Sequence, residues 1–220
     1  ITGLFSLNRE IDVRNYYTAH RLIQHRGPDD EGFISFVNGK INHHKGDDTI
    51  DDFQNLKHIQ EINHANLILG QRRLSIIDLT KLGHQPFYFE NLFMVYNGEI
   101  YNYLELRKEL LSLGYSFQTN TDTEVVLKSF YEWGENAFSK FNGMWSLAIF
   151  DYKKNELFLS RDRFGIKPLY ICKMDNIIYF SSEIKFIKKM IGNKISINER
   201  SALSYINNNK PNYSKETFYD

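Results

Sequence analysis

The chain has 220 residues, 42% of them hydrophobic and 15% aromatic, enough to bury the core of one sizeable domain or two small ones. Its 27 basic residues balance 27 acidic ones, which gives no reason to expect nucleic acid or an anionic membrane as a partner. No apolar run approaches the ~18 residues of a membrane-spanning helix, and the lone cysteine, Cys172, excludes an internal disulfide and points to a reducing, cytoplasmic setting.

In chain order, the opening ITGLFSLN alternates and predicts a strand over Thr2–Leu7, followed by a helix over Val13–His25. Strands are expected at Gly32–Phe36, Ala65–Gln71 and Leu92–Tyr96, with a polar, exposed excursion between them at Asn38–Asn63. Tyr101–Leu113 carries Tyr103, Leu106, Leu110 and Leu113 on one helical face and stops at Gly114, a good residue just past a helix end. Thr123–Trp133 predicts the next helix, with Thr121 and Glu124 spaced as a capping box. Strands follow at Gly143–Asp151, Glu156–Arg161, Leu169–Lys173 and Ile177–Ser181, with hairpin turns around Lys153–Asn155 and Asp175–Asn176. Short helices at Ile184–Ile191 and Glu199–Ile206 precede a tail, Asn207–Asp220, that loses apolar periodicity and reads as a linker toward a further domain. Strand runs broken by a few helices predict an α+β class of stacked layers, not a regular βαβ alternation.

Four polar stretches interrupt the apolar strands: QHRGPDDEG, GQRRLSIID, VYNGEIYN and TNTDTE. An Asn97 side-chain N–H beside the Gly98 backbone N–H offers two donors for one oxyanion, though the same NGE also suits a strand-to-helix turn with positive φ. Arg73 can clamp a carboxylate bidentately, or share a solvated pair with Arg72. Asp122 can meet an ammonium, or simply complement a helix N-terminus. Together they offer what a free amino acid with a reacting side-chain carbonyl would need. The acidic and histidine residues His43, His44, Asp47, Asp48, Asp51 and Asp52 could ligate a metal, but such clusters are usually solvated loop, and no metal site is expected. Cys172, in the alternating LYICKM, reads as a core residue. No phosphate-cradling GxxxxGK[ST] occurs.

GQRRLSIIDLTKLGHQPF, MVYNGEIYNYLELRKEL, TNTDTEVVLKSFYEWGENAFSKFNGMWSLAIFD, SRDRFGIKPLY and FSSEIKF, with QHRGPDDEG upstream, resemble the class II glutamine amidotransferase domain of glutamine-hydrolysing asparagine synthetases, in family order over nearly the whole chain. The resemblance implies a four-layer αββα sandwich of N-terminal-nucleophile hydrolase type over residues 1–206, and a linker at 207–220 toward a C-terminal ATP-dependent synthetase domain. It implies L-glutamine as ligand, no cofactor in this domain, and ATP and Mg only in the synthetase domain. A homodimer stays open. Arg73 would hold the glutamine α-carboxylate, with Leu74, Ile76 and Ile77 shaping that wall. Glu99 and Asp122 would meet the α-ammonium, Asn97 and Gly98 would form the oxyanion hole, and Arg26 to Asp29 would buttress the pocket.

The family begins with Cys-Gly-Ile, whose free α-amine serves as base for its own thiol. The stretch Thr2-Gly3-Leu4 matches that start, with Ile1 ahead of it. This implies a hydroxyl at the nucleophile position and an amine locked in a peptide bond. Three readings follow: a degenerate glutaminase retained to support a synthetase, an N-terminal threonine nucleophile after removal of Ile1, or a terminus that differs from the native one. The overall reaction implied is ATP-dependent amidation of aspartate. The alternative is a non-catalytic module supporting a synthetase with another acceptor, of β-lactam-forming or peptide-cyclising type.

Overall fold

A computed structural model describes residues 1–74, 83–192 and 196–208. The first sheet contains β1 (Thr2–Phe5), β3 (Asp30–Val37), β4 (Lys40–His44), β6 (Leu67–Arg73), β11 (Tyr170–Met174) and β12 (Ile177–Ser181). Its order is β11-β12-β1-β6-β3-β4, antiparallel throughout, so the first strand lies near the centre between β12 and β6. The second sheet is β10 (Glu156–Arg161), β9 (Gly143–Asp151), β8 (Leu92–Ile100) and β7 (Phe87–Phe89), in that order and also antiparallel. A two-stranded ribbon joins β2 (Ile11–Asp12) to β5 (His64–Ala65).

The side-chain period of two divides the strands between separate cores. Leu4 and Ile68 face outward from the first sheet and pack with Tyr16 of α1 (Tyr16–Arg21) and Phe186 of α5 (Ile184–Ile191). Their neighbours Phe5, Leu67 and Leu69 face the other way, against Phe93, Val95, Ala148 and Phe150 of the second sheet. Met94 and Ile149, one residue out of phase, pack outward with Leu106 and Leu110 of α2 (Tyr103–Ser112) and Val126 and Phe130 of α3 (Asp122–Trp133). Three cores between four layers make an αββα sandwich, and both sheets are buried on both faces. That is why runs such as LFMVY read as continuously apolar. The remaining helices are α4 (Ala137–Lys140) and α6 (Glu199–Asn208).

Several boundaries differ from the sequence reading, each for a local reason. The helix expected over Val13–His25 is α1 alone, because Leu22, Ile23 and Arg26 donate to carbonyls three residues back and tighten the chain into a 3₁₀ turn. Strand β8 continues through Asn97, Gly98 and Glu99 to Ile100, paired with β9 throughout, so NGE is strand and not a positive-φ turn. No capping box forms at Thr121: Glu124 reaches past it to accept from the backbone of Gln118 and Thr119. The polar excursion supplies the edge strand β4 through a turn at Asn38 and Gly39, both at positive φ, and it buries His44 and Thr49. Cys172 is half-buried at the margin of the outer core, not within it. Helix α6 runs two residues into the expected linker, whose residues 209–220 lie outside the described residues. Among the described residues no helix is long and apolar enough to cross a membrane.

Candidate functional site

The inward-facing rows of β6 and β8 change character at one end of the sandwich. Leu67 and Leu69 are succeeded on the same face by Gln71 and Arg73, and Phe93 and Val95 by Asn97 and Glu99. The apolar core thereby becomes a polar cavity of about 330 Å³, which Arg73, Leu74, Asn97, Gly98, Glu99 and Asp122 all line. The sequence separation of these residues is large; one central strand from each of the two facing sheets and one helix start bring them together. Ile76 and Ile77 lie outside the described residues.

One edge of β8 forms the cavity's donor wall. Strand β7 pairs with β8 only as far as Met94, so beyond that residue the β8 edge turned away from β9 has no strand partner. Tyr96 N–H on that edge donates to Gln85 Oε1 at 2.7 Å, and Ile100 N–H donates to Asp122 Oδ2 at 3.0 Å. Alternate residues of a strand present their N–H groups to the same edge, so Gly98 N–H lies between these two and faces the cavity. The Asn97 amide makes no side-chain hydrogen bond among the described residues. Gly98 is required by close approach: a Cβ there would strike the carbonyl oxygen of Met144 and come within 2.8 Å of the Trp145 Cα.

The acceptor wall is Asp122, at the first turn of α3. Its carboxylate also accepts from the Tyr96 phenol at 2.7 Å. Burial raises the Asp122 pKa above that of an ordinary aspartate, with the Tyr96 and Ile100 hydrogen bonds opposing the shift. Burial, and the charge of Asp122, push the Tyr96 phenol well above its usual value, so it stays a donor. Gln71 Nε2 crosses between the sheets to the Tyr96 carbonyl at 3.1 Å and ties β6 to β8 beside the cavity.

Arg73 and Arg72 are not a solvated pair. Arg72 points to the opposite face of β6, is 4% exposed, and donates to Gly27 O, Glu31 and Asp48. Arg73 faces the cavity with its guanidinium against Gly83, where a Cβ would sit only 2.6 Å from its Cζ. The 26–29 loop lies flat on the end of β6: Asp29 N–H donates to Arg73 O at 3.1 Å, and Gly27 has no room for a Cβ against the Arg73 nitrogen at 2.5 Å. Arg26 lines the cavity and pairs with Glu183, which also binds His25 at 2.7 Å.

Thr2 does not join this group. Odd residues of β1 face the inner core, as Ile1 does at the cavity, and even residues face the helices. The Thr2 hydroxyl is therefore beneath the sheet, 2.7 Å from the Tyr16 phenol and 2.7 Å from His20 Nδ1, and is fully buried. Matching Thr2 to the nucleophile position is off by the face of the sheet, the consequence of any odd shift in register. Gln71, Gln85 and Tyr96 were not singled out from the sequence. The place of Gln71 two residues before Arg73, on the same strand face, was the available signal. Of the histidine and acidic residues between 43 and 52, from which no metal site is expected, Asp48 pairs with Arg72, Asp47 with Arg21, and His44 with Ser35. Among the described residues no group of three or more His, Cys, Asp or Glu is arranged to hold a metal ion.

The glutamine amidotransferase domain family matches residues 57–220. Asparagine synthetase (glutamine-hydrolyzing) 1 of Bacillus subtilis is 36% identical over 85% of this chain, which covers 25% of that protein. A Methanocaldococcus jannaschii chain named provisionally as asparagine synthetase (glutamine-hydrolyzing) 2 is 36% identical over 93% of this chain, which covers 38% of its length. The chain thus spans between a quarter and two fifths of these relatives. Among solved structures, the glutamine phosphoribosylpyrophosphate amidotransferase of B. subtilis superposes with a TM-score of 0.70 at 24% identity, over 87% of this chain and 43% of that one, a likeness of fold.

Proposed function

The chain belongs to the glutamine amidotransferase domain family, in the class II form found in asparagine synthetase-like proteins, and from that premise we propose that its cavity binds free L-glutamine as a nitrogen donor. The observation that carries this reading is the Gly98 N–H, held toward the cavity between two satisfied neighbours on the same strand edge, with the Asn97 amide beside it. Two donors converging on one carbonyl oxygen suit the side-chain amide of glutamine and the oxyanion formed when it is attacked. Arg73 binds the α-carboxylate with two parallel charged hydrogen bonds, and Leu74 walls the aliphatic stem. Asp122 and Glu99 meet the α-ammonium. A cavity of about 330 Å³ is at the small end of ligand sites and suits an amino acid.

We assign binding, not bond cleavage, to the described residues. A nucleophile must lie within reach of the carboxamide carbon, and the Thr2 hydroxyl is on the other side of the sheet. In a polypeptide of the relatives' length that also supplies the nucleophile, the ammonia would pass to an ATP- and Mg-dependent synthetase portion that amidates aspartate.

Titration calorimetry with L-glutamine tests the assignment. Arg73→Ala should weaken binding by about 10- to 100-fold, the worth of a charged bidentate pair. Absence of any heat from the unaltered chain would favour the non-catalytic module for a different acceptor. Ammonia released from glutamine by the chain would overturn the restriction to binding.

A further inference from the structure

Phe164 is 85% exposed and Ile166 58% exposed, at the tip of the loop between β10 and β11. Exposed apolar residues on frayed loops need no explanation, but this loop is braced at every step. The Asp162 carboxylate, 4% exposed, accepts from Trp145 N–H at 3.3 Å, Ile166 N–H at 2.8 Å and Lys167 N–H at 2.9 Å. Burial pushes the Asp162 pKa up, yet those three donors outweigh it and hold the group ionised below the usual range. From outside, Arg161 donates to Lys167 O at 2.8 Å and to Gly165 O. Gly165 takes φ +65°, a conformation other residues adopt at a cost, and turns the tip outward. A buried carboxylate and an arginine thus hold two large apolar side chains in water, where they contribute nothing to this chain's own core.

The tip also has a definite neighbourhood. Lys167, next to Ile166, lines the glutamine cavity, and Leu74, itself 56% exposed, lines it too. Arg161, Arg163 and Lys167 make the surroundings of the tip basic. A partner seated on Phe164 and Ile166 would therefore border the cavity mouth, and would present an apolar hollow rimmed by carboxylates.

We infer that the Phe164–Ile166 tip is the docking surface for the ATP-dependent synthetase portion that makes up the rest of the relatives' length. This rests on the amidotransferase reading: ammonia that a nucleophile outside the described residues sets free in the cavity must reach that portion without escaping to water, so the seal belongs at the cavity rim. Preformed donors and a rigid apolar anchor reduce the ordering lost on docking. The relatives' extra length, and the basic collar that a second copy of this chain would repel, favour that occupant over self-association.

The test places p-benzoylphenylalanine at position 164 of the polypeptide as its gene encodes it. The protein is irradiated in the cell, and the cross-linked peptide is sequenced by mass spectrometry. The expected product joins position 164 to a peptide of the synthetase portion that carries Asp or Glu. A cross-link to residues 1–220 of a second copy, to an unrelated protein, or to nothing overturns the inference. Phe164→Asp should lower glutamine-driven product formation by about tenfold or more, as loss of an anchor residue does. Its calorimetric affinity for glutamine should stay within about twofold, since Phe164 does not line the cavity. Calorimetry on the unaltered chain keeps the two readings apart: if it binds no glutamine, the pocket assignment fails whatever the cross-link shows.

Discussion

The Tyr96 phenol donates to the Asp122 carboxylate at 2.7 Å, joining the outer face of β8 to the first turn of α3. One residue before Asn97 and two before Gly98, this contact ties the acceptor wall of the cavity to the strand that carries its donor wall. Tyr96 is thereby the hinge pin of the site, although its own ring packs in the outer core.

With Asp122 proposed to meet the ligand's α-ammonium, its raised pKa should set the pH range of glutamine binding. An α-ammonium is attracted only by the ionised carboxylate, so affinity should fall as pH drops through the Asp122 pKa. Burial has moved that pKa upward, so the loss should begin at higher pH than for an ordinary aspartate of 3.8. Asp122→Asn should bind about 10- to 100-fold more weakly at pH 7 and lose this part of the pH profile. Calorimetry between pH 7 and pH 4 checks both; an unchanged acid limb in the variant would remove Asp122 from the ammonium site.

Gly98 tests the donor wall through sterics. Its missing Cβ leaves room for the Met144 carbonyl and the Trp145 backbone, neither of which is a flexible side-chain end. Gly98→Ala should push β8 from β9, cost about 1–3 kcal/mol of stability, and turn the edge N–H away from the cavity. Denaturant melts and calorimetry on the same protein measure the two effects. Full glutamine affinity in Gly98→Ala would show that the edge N–H is not a donor to the ligand.

Most of the layering was legible in the sequence because period-two alternation survives even where both sheet faces are buried. Leu67, Leu69, Gln71 and Arg73 trace one face in sequence as they do in space. What could not be read was the phase of the first strand and the fate of NGE. Four residues of β1 set its facing only through their partners, with Thr2 opposite Gly70 and Ser181, and those partners are long-range. Asn97-Gly98 carries a strong turn preference, overridden here by nine paired residues between β8 and β9. The helix start at Asp122 misled in the same way: Thr121 and Glu124 have capping-box spacing, but Lys128, one turn on, draws Glu124 to itself at 2.7 Å.

Buried histidines should make the fold sensitive to mild acid. Burial lowers the His44 pKa from 6.5 to about 4, helped by the charge of His43, and burial lowers His20 well below 6.5 in the same direction. With a folded pKa below the unfolded one, the unfolded chain takes up protons first as pH falls. The contribution of these histidines is therefore constant above about pH 6.5 and falls between there and about pH 4, by up to about 3 kcal/mol for His44 alone. Urea melts across that range should show a shallower slope for His44→Gln, with His20, His43 and the buried Ile1 amine, all lowered by burial, contributing to what remains. A slope unaltered by that change would mean that His44 is protonated in the folded protein.

Thr2 separates stability from binding, and so tests the register of the first strand directly. Its hydroxyl is shared by Tyr16 and His20 at 2.7 Å each, in a pocket closed to water. Thr2→Val keeps the shape and removes the partner, leaving two buried polar groups short of a bond, a cost of about 1–3 kcal/mol. Thr2→Ser keeps the hydroxyl and should lose much less. Neither change touches the cavity, so both should bind glutamine as the unaltered chain does. Thr2→Cys is the sharpest form of the test: a thiol placed there would face α1, and should release no ammonia from glutamine. If Thr2→Cys hydrolyses glutamine, or Thr2→Val abolishes binding without loosening the fold, then β1 presents its even residues to the cavity and the facing described for this strand is reversed.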